Sequence, residues 1–276
     1  ASKNALAASK AKEVIDMGYH QLLDIHKLWL FENANSLESV FSVQFSKEED
    51  HRNGHPAAFS FHMARGWSDC YPELQFFKDF PAGARKDATF VTDIPNRGFA
   101  GGKIIDKTPL TKSWEVSERF HPMYKKYTIS EDLTVVGRTM GYRPVELYRY
   151  AEVLLIYAEA KAASGGVDAS VLDALNQVKR RAAGLDPNTP DATVDATSAT
   201  ISDIIAEKGW ELAAEDKRWF DLIRTETLEE VAARRDPTEK VPLTKQPTKA
   251  QYITPLPAEA VSGSNLKQNP EGFIPK

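Results

Sequence analysis

Apolar positions along this chain repeat with two periods, and long stretches carry neither. Ala5, Ala8, Ala11 and Ile15 recur, with Lys12, at helical spacing, and Gly18 stands where a left-handed residue would end the pattern. That spacing predicts a helix of about 13 residues. In ESVFSVQF, Phe41, Val43 and Phe45 alternate with Ser42 and Gln44, the period of a short half-buried strand. From about His51 to Tyr142 periodicity is weak, and glycines, prolines, histidines and aromatic residues predict long connections, which in a compact protein tend to be functional. At YRYAEVLLIYAEAKAASGG the helical period returns. Apolar side chains there cover almost the whole circumference, leaving only Glu152 and Glu159 as a polar stripe, so a buried helix is expected. Ser164, Gly165 and Gly166 end it. DASVLDALNQVKRRAAG then aligns Val171, Leu175, Val178 and Ala182 before Gly184. Two helices joined by a short glycine turn make a hairpin, the unit of tetratricopeptide-like solenoids. The polar loop DPNTPDATVDATSAT follows, a helix restarts near Thr200, and beyond Asp236 a proline-rich segment is expected to run extended over the surface, tied down by QYITPLP and NPEGF.

The stretch EKGWELAAEDKRWFDLIRTE, residues 207–226, packs carboxylates, cations and aromatic residues together. If 201–225 form one helix, or two in near continuation, Ile205, Leu212, Trp219 and Ile223 share a buried stripe, and Glu207, Glu211, Glu215 and Arg218 gather beside it. Arg218 then has the spacing to fork onto Glu211, Glu215 and Asp221, giving a structural ion network of those four residues. Carboxylates beside an arginine are held ionised, which is wrong for the acid member of a glycosidase pair. Trp29, Trp210 and Trp219 are assigned to the scaffold on this reading.

Composition narrows the function. With 276 residues, 42% of them hydrophobic, the chain can bury a substantial core. A net charge of -4 offers no general attraction for phosphate backbones, so nucleic acid is not an expected partner. The single cysteine, Cys70, excludes an internal disulfide framework. No run of about 18 apolar residues is present to cross a membrane as a helix. The alanine-rich opening without an initiator methionine reads as a mature or truncated chain. His51, His55 and His62 have spacings of a helical face, but Asn53, Gly54 and Pro56 argue against a helix there, and no metal is expected. RGFAGGK, residues 97–103, lacks the spacing of a phosphate loop because Ile104 follows the lysine. No nucleophile or metalloprotease signature is visible, and the sequence calls for no cofactor.

YRYAEVLLIYAEAKAASGG, ALNQVKRRAAG, EKGWELAAEDKRWFDLIR, ITPLP and NLKQNPEGF occur here in the order seen in the C-terminal part of the SusD/RagB family, the surface glycan-binding lipoproteins of Bacteroidetes, which the chain resembles. AKEVIDMGY, LWLFENANSLESVFSVQF and KKY at 125–127 add to the resemblance. It implies a mainly α fold of tetratricopeptide-like helical hairpins, with minor short strands, a long loop-rich excursion and an extended C-terminal tail. On that pattern one SusD-like region has its helical scaffold at 1–33 and 143–235, its ligand-side excursion at 34–142 and its tail at 236–276. The implied role is non-catalytic: capture of a glycan or other nutrient at the bacterial outer membrane, as a lid on a SusC-like TonB-dependent transporter. Family members run longer at the N-terminus, where their lipid-bearing cysteine lies. Cys70 cannot be that residue, so truncation is expected, and membrane association would come only through a lipid anchor absent from this chain.

Sugars are held by flat aromatic rings against their C–H faces and by planar polar groups around them. HMARGWSDCYPELQFF offers Trp67 and Tyr71 beside Arg65, Ser68 and Asp69; Trp114 and Tyr142 are further candidates. Either Trp67 or Tyr71 could instead plug its loop onto the core. Two other functional classes remain open from sequence: a carbohydrate-active hydrolase drawing carboxylates such as Asp69 or Glu73 from 51–142, and a helical module whose only ligand is protein.

Overall fold

The computed structural model describes residues 2–46, 48–62, 66–96, 99–100, 103–104, 110–126, 141–240 and 243–268. Arg65, most of RGFAGGK, Tyr127 and the NPEGF anchor lie outside them.

Helix α1 spans Ser2–Asp16, and Gly18 follows it in the left-handed region at φ +63°. Strand β1, Ser39–Val43, comes next, then the short helices α2 (His55–Phe59), α3 (Leu74–Asp79) and α4 (Ala84–Thr89). Six short strands follow, β2 (Phe90–Val91), β3 (Asp93–Asn96), β4 (Phe99–Ala100), β5 (Lys103–Ile104), β6 (Leu110–Ser113) and β7 (Met123–Tyr124). Strand β8, Val145–Arg149, runs straight into helix α5, Tyr150–Gly165. Helices α6 (Ala169–Ala182), α7 (Ile201–Glu211), α8 (Arg218–Arg224), α9 (Leu228–Ala233) and α10 (Ala258–Ser262) complete the chain.

Helix α5 is the axis. Its apolar circumference is satisfied by α1 on one side and by α6 and α7 on others, so Ala151, Leu154, Leu155 and Ala158 are fully enclosed. Ala8 and Ala11 of α1, and Val171, Leu175 and Val178 of α6, join this core, as their spacing predicts. The Asp168 carboxylate caps α6 by accepting from Ser170 N at 3.0 Å and Val171 N at 3.1 Å. Thr200 and Asp203 form a reciprocal capping box at the start of α7. The polar stripe of α5 is covered as well: Glu152 pairs with Lys217 at 3.2 Å, and Glu159 with Arg224. The fold is thus the mainly α, hairpin-built arrangement with minor strands.

Three findings differ from the local patterns. Strand β1 forms, pairing antiparallel with β8, but the supposed inward face is outward: Phe41 is 59% exposed, whereas Val40 packs on the core. The excursion is not wholly irregular, because β2 pairs with β7, β3 with β6 and β4 with β5, which nests them into one antiparallel arm. Strands of two to four residues are too short to show a period of two. Third, 201–225 is broken. The Glu211 carbonyl, which a continuing helix would need, accepts instead from Lys126 Nζ at 2.8 Å and Arg149 Nη2 at 2.7 Å. Ala214 and Asp216 then take left-handed φ of 64° and 59°, turning the chain before α8. The tail is partly helical, with Tyr252 buried against Leu222 and Leu228.

Candidate functional site

Two clusters of functional-type side chains stand out, one inside the scaffold and one on the excursion. In the interior, the residue before β1, α4, the segment after β7, β8, α6, α7 and the turn after α7 each deliver a charged group to one place. Arg149 holds Glu215 with a bidentate fork, Nε at 2.6 Å and Nη2 at 2.9 Å, while its Nη1 lies 2.8 Å from Glu38 and 2.6 Å from Glu211. Arg181 joins Glu38, at 3.1 Å, to Glu211. Arg85 bridges Glu207 and Glu211, and Lys126 sits 2.7 Å from Glu215. Trp29 forms one wall, its ring within 5.1 Å of Lys126 and 5.8 Å of Arg149.

Burial by itself would raise the Glu211 carboxyl. The guanidinium groups of Arg181, Arg149 and Arg85 prevail and hold it well below the usual carboxylate range. Glu215 is lowered in the same way by Arg149 and Lys126. Burial lowers Lys126 itself to about 8, against the pull of Glu215. Glu211 and Glu215 are therefore anionic and enclosed, which leaves neither of them placed to protonate a guest.

Arg218 is not their partner. Burial lowers its guanidinium, with Asp221 opposing, and it forms no ion pair within 4 Å among the described residues. It lies instead over Gly209, where a Cβ would fall 2.9 Å from Nη1, which explains a glycine inside α7. Asp221 is held by Arg224 Nη2 at 2.6 Å and by Lys208 at 3.1 Å. The break after Glu211 rotates α8, so the expected Arg218 fork is replaced by arginines remote in sequence. It also corrects the place of Trp219, which is 44% exposed instead of lying in a buried stripe. Trp29 is buried, and Trp210, partly buried, packs on the core 5.1 Å from Phe76 and 5.3 Å from Phe80.

On the excursion the candidate aromatic residues separate into two groups. Tyr71 packs against Phe61 and lies 4.6 Å from the buried His121, beside the core of Phe61, Ile94 and Met123. Trp114 packs on the same core, 5.7 Å from Phe77. Both plug the excursion onto itself. Trp67, by contrast, is 42% exposed, and its ring rests near Gly54, where a Cβ would be 3.8 Å from Cζ3. Asn53, next to Gly54, bridges to Gly141 through backbone bonds of 2.7 and 3.0 Å, and this brings Tyr142 to the same segment. Tyr142 donates to Asp50 at 3.0 Å.

The loop under Trp67 is locked. Ser68 N donates to Ser60 O at 2.9 Å, and Asp69 N and Cys70 N both donate to Ala58 O. The buried Ser68 hydroxyl donates to Glu118, which also accepts from His62 N at 2.7 Å. Gly66 admits no side chain, because a Cβ would lie 1.9 Å from Ser60 O. The Asp69 carboxylate is exposed, and Glu73 caps α3 through Phe76 N at 3.0 Å. His51, His55 and His62 each face a different acid, Glu49, Asp216 and Glu118. Among the described residues no group of three or more histidine, cysteine or acidic side chains is placed to hold a metal ion. No described helix is long and apolar enough to cross a membrane.

Comparison with known proteins places this architecture. SusD-like protein P2 of Formosa agariphila is 27% identical over 215 residues, which is 75% of this chain and 41% of that protein. A SusD superfamily protein of Parabacteroides distasonis superposes with a TM-score of 0.74 at 24% identity, over 99% of this chain and 58% of that one. Surface glycan-binding protein A of Bacteroides thetaiotaomicron, solved with laminarihexaose, superposes with a TM-score of 0.73 at 20% identity, over 99% of this chain and 60% of that one. The chain spans well under two thirds of the length of these relatives, and at such identities the structural likeness speaks for the fold alone. The model of the SusD family matches residues 38–271, and the chain belongs to that family.

Proposed function

We propose that this chain is part of a bacterial cell-surface protein that holds an oligosaccharide without cleaving it and passes it to a SusC-like TonB-dependent transporter. Family membership and the glycan-binding relatives support the ligand class. The observation that carries the reading to particular residues is the indole of Trp67, half exposed on a loop whose backbone is fixed by hydrogen bonds. A rigid aromatic face loses little entropy on stacking against a sugar ring. Tyr142, on the adjoining segment, supplies a second ring and a hydroxyl, and Asp69 and Arg65 are the polar members of the proposed site. Tyr71 and Trp114 support it from the core. In this reading the excursion is the ligand side, the hairpins are its mount, and anchoring at the outer membrane belongs to the longer protein.

Affinity electrophoresis in gels containing laminarin, maltan or xylan tests the proposal, together with an assay for new reducing ends. One polysaccharide is expected to retard the chain, with no ends released. Trp67→Ala should weaken retardation by about 1–3 kcal/mol, the worth of burying such a side chain, and Tyr71→Phe should leave it intact. Retardation indifferent to Trp67→Ala would overturn the assignment of the site. Release of ends that Asp69→Asn abolishes would make the protein a hydrolase.

A further inference from the structure

An open cleft formed by α8, α9 and the tail has a volume of about 530 Å³. That volume lies within the range of small-molecule sites, roughly 300–1,000 Å³. Its floor is Leu228, and its walls are the Trp219 indole and Leu243, each 44% exposed. The indole stands half in water at the edge of the cleft, beside polar side chains of the tail and α9.

The polar groups of the cleft decide what fits. The Arg235 side chain is only 22% exposed, yet its contacts are long ion pairs, 3.8 Å to Glu73 and 3.3 Å to Glu239, and it makes no hydrogen bond among the described residues. Its fork therefore keeps donors to spare. Gln246 also lines the cleft and is exposed. Gln251 accepts from Thr248 N at 2.7 Å through Oε1, which fixes its amide and leaves Nε2 as an oriented donor. A purely apolar guest would strip water from these groups and return nothing. A guest with a flat apolar face and a rim of hydroxyls satisfies both the indole and the fork. We infer that the cleft between Trp219 and Arg235 is a second saccharide site, taking one pyranose unit of an oligosaccharide. It is built from elements other than the loop that carries Trp67. The choice of ligand class rests on the proposed function, but the geometry of the cleft does not.

The chain labelled with 5-fluorotryptophan has five tryptophan positions, whose fluorine resonances are assigned by single Trp→Phe replacements. Titration with laminarihexaose, maltohexaose and cellohexaose reads both sites separately. The Trp219 resonance is expected to shift saturably with at least one hexaose. Arg235→Gln should raise its midpoint roughly ten-fold, the loss of a charged hydrogen bond, and leave the Trp67 midpoint unchanged. A Trp219 resonance that stays still while Trp67 responds overturns the second site and leaves the proposed function standing. A responding Trp219 beside a silent Trp67 supports the cleft and sinks the Trp67 assignment. If both stay still with all three hexaoses, both proposals fall. A Trp219 shift indifferent to Arg235→Gln and to Gln246→Ala overturns the site as drawn.

Discussion

Replacing Glu211 by glutamine removes one charge from the interior while keeping the shape of the side chain. Four carboxylates, Glu38, Glu207, Glu211 and Glu215, face four cations there, Arg85, Lys126, Arg149 and Arg181. The Glu211 side chain is wholly enclosed and touches three of the guanidinium groups. After Glu211→Gln, three carboxylates must serve four buried cations. Removing one partner of a buried pair costs about 3–5 kcal/mol, a fifth or more of the total stability of a typical domain at roughly 5–15 kcal/mol. Urea unfolding followed by far-ultraviolet dichroism should show a midpoint lower by about 1–2 M at an unchanged slope. Adding Arg181→Met restores the balance of charge, so the double variant should lose at least about 1 kcal/mol less than the sum of the single ones. The pH dependence carries a sign. The folded Glu211 carboxyl lies below its unfolded value, so its contribution is complete above the ordinary glutamate range and fades as pH falls through it. The deficit of Glu211→Gln should therefore shrink between pH 6 and pH 3. A variant within about 1 kcal/mol of the parent at pH 7 would refute the reasoning, because it would mean that this carboxylate contributes no more than a surface pair does.

Two further outcomes follow from the same geometry. Gly66→Ala places a methyl group 1.9 Å from Ser60 O, so the Trp67 loop must open; a loss of about 1–3 kcal/mol from overpacking and stronger acrylamide quenching of tryptophan fluorescence are expected, and an unshifted melt would contradict the closed loop. The Lys126 amine, lowered by burial to about 8, releases its proton in the folded chain before the unfolded chain does. Stability of the parent relative to Lys126→Met should thus rise with pH by up to about 3 kcal/mol between roughly pH 8 and pH 10.5. A difference that stays flat across that window in paired urea titrations would show that Lys126 remains charged.

The α5–α6 hairpin was legible because its packing is recorded locally, in residues three and four apart along one helix. The same holds for α1 and its glycine stop. The face of β1 was not legible, since period two says that a strand has two faces and not which one meets α5. Nor could the sequence near Arg218 name the cations that neutralise Glu211: these come from Arg149, Arg181 and Arg85, up to 126 residues away in the chain. The same convergence ends α7 by capturing a carbonyl, and it turns Trp219 outward. Among the loop aromatic residues, composition proposed Trp67, Tyr71, Trp114 and Tyr142 alike. Only tertiary packing distinguishes those that plug a core from those that face solvent.

The nested strand arm leaves the scaffold just after Arg85 and returns just before Lys126, and both residues are clamped into the buried charge cluster. Beyond them, Ala88, Phe90 and Tyr124 still pack on the scaffold, but length added past β3 and β6 is separated from these two rivets by two strand pairs, and the helices need not move to accept it. The molecule is in this respect a fixed socket holding an exchangeable tip.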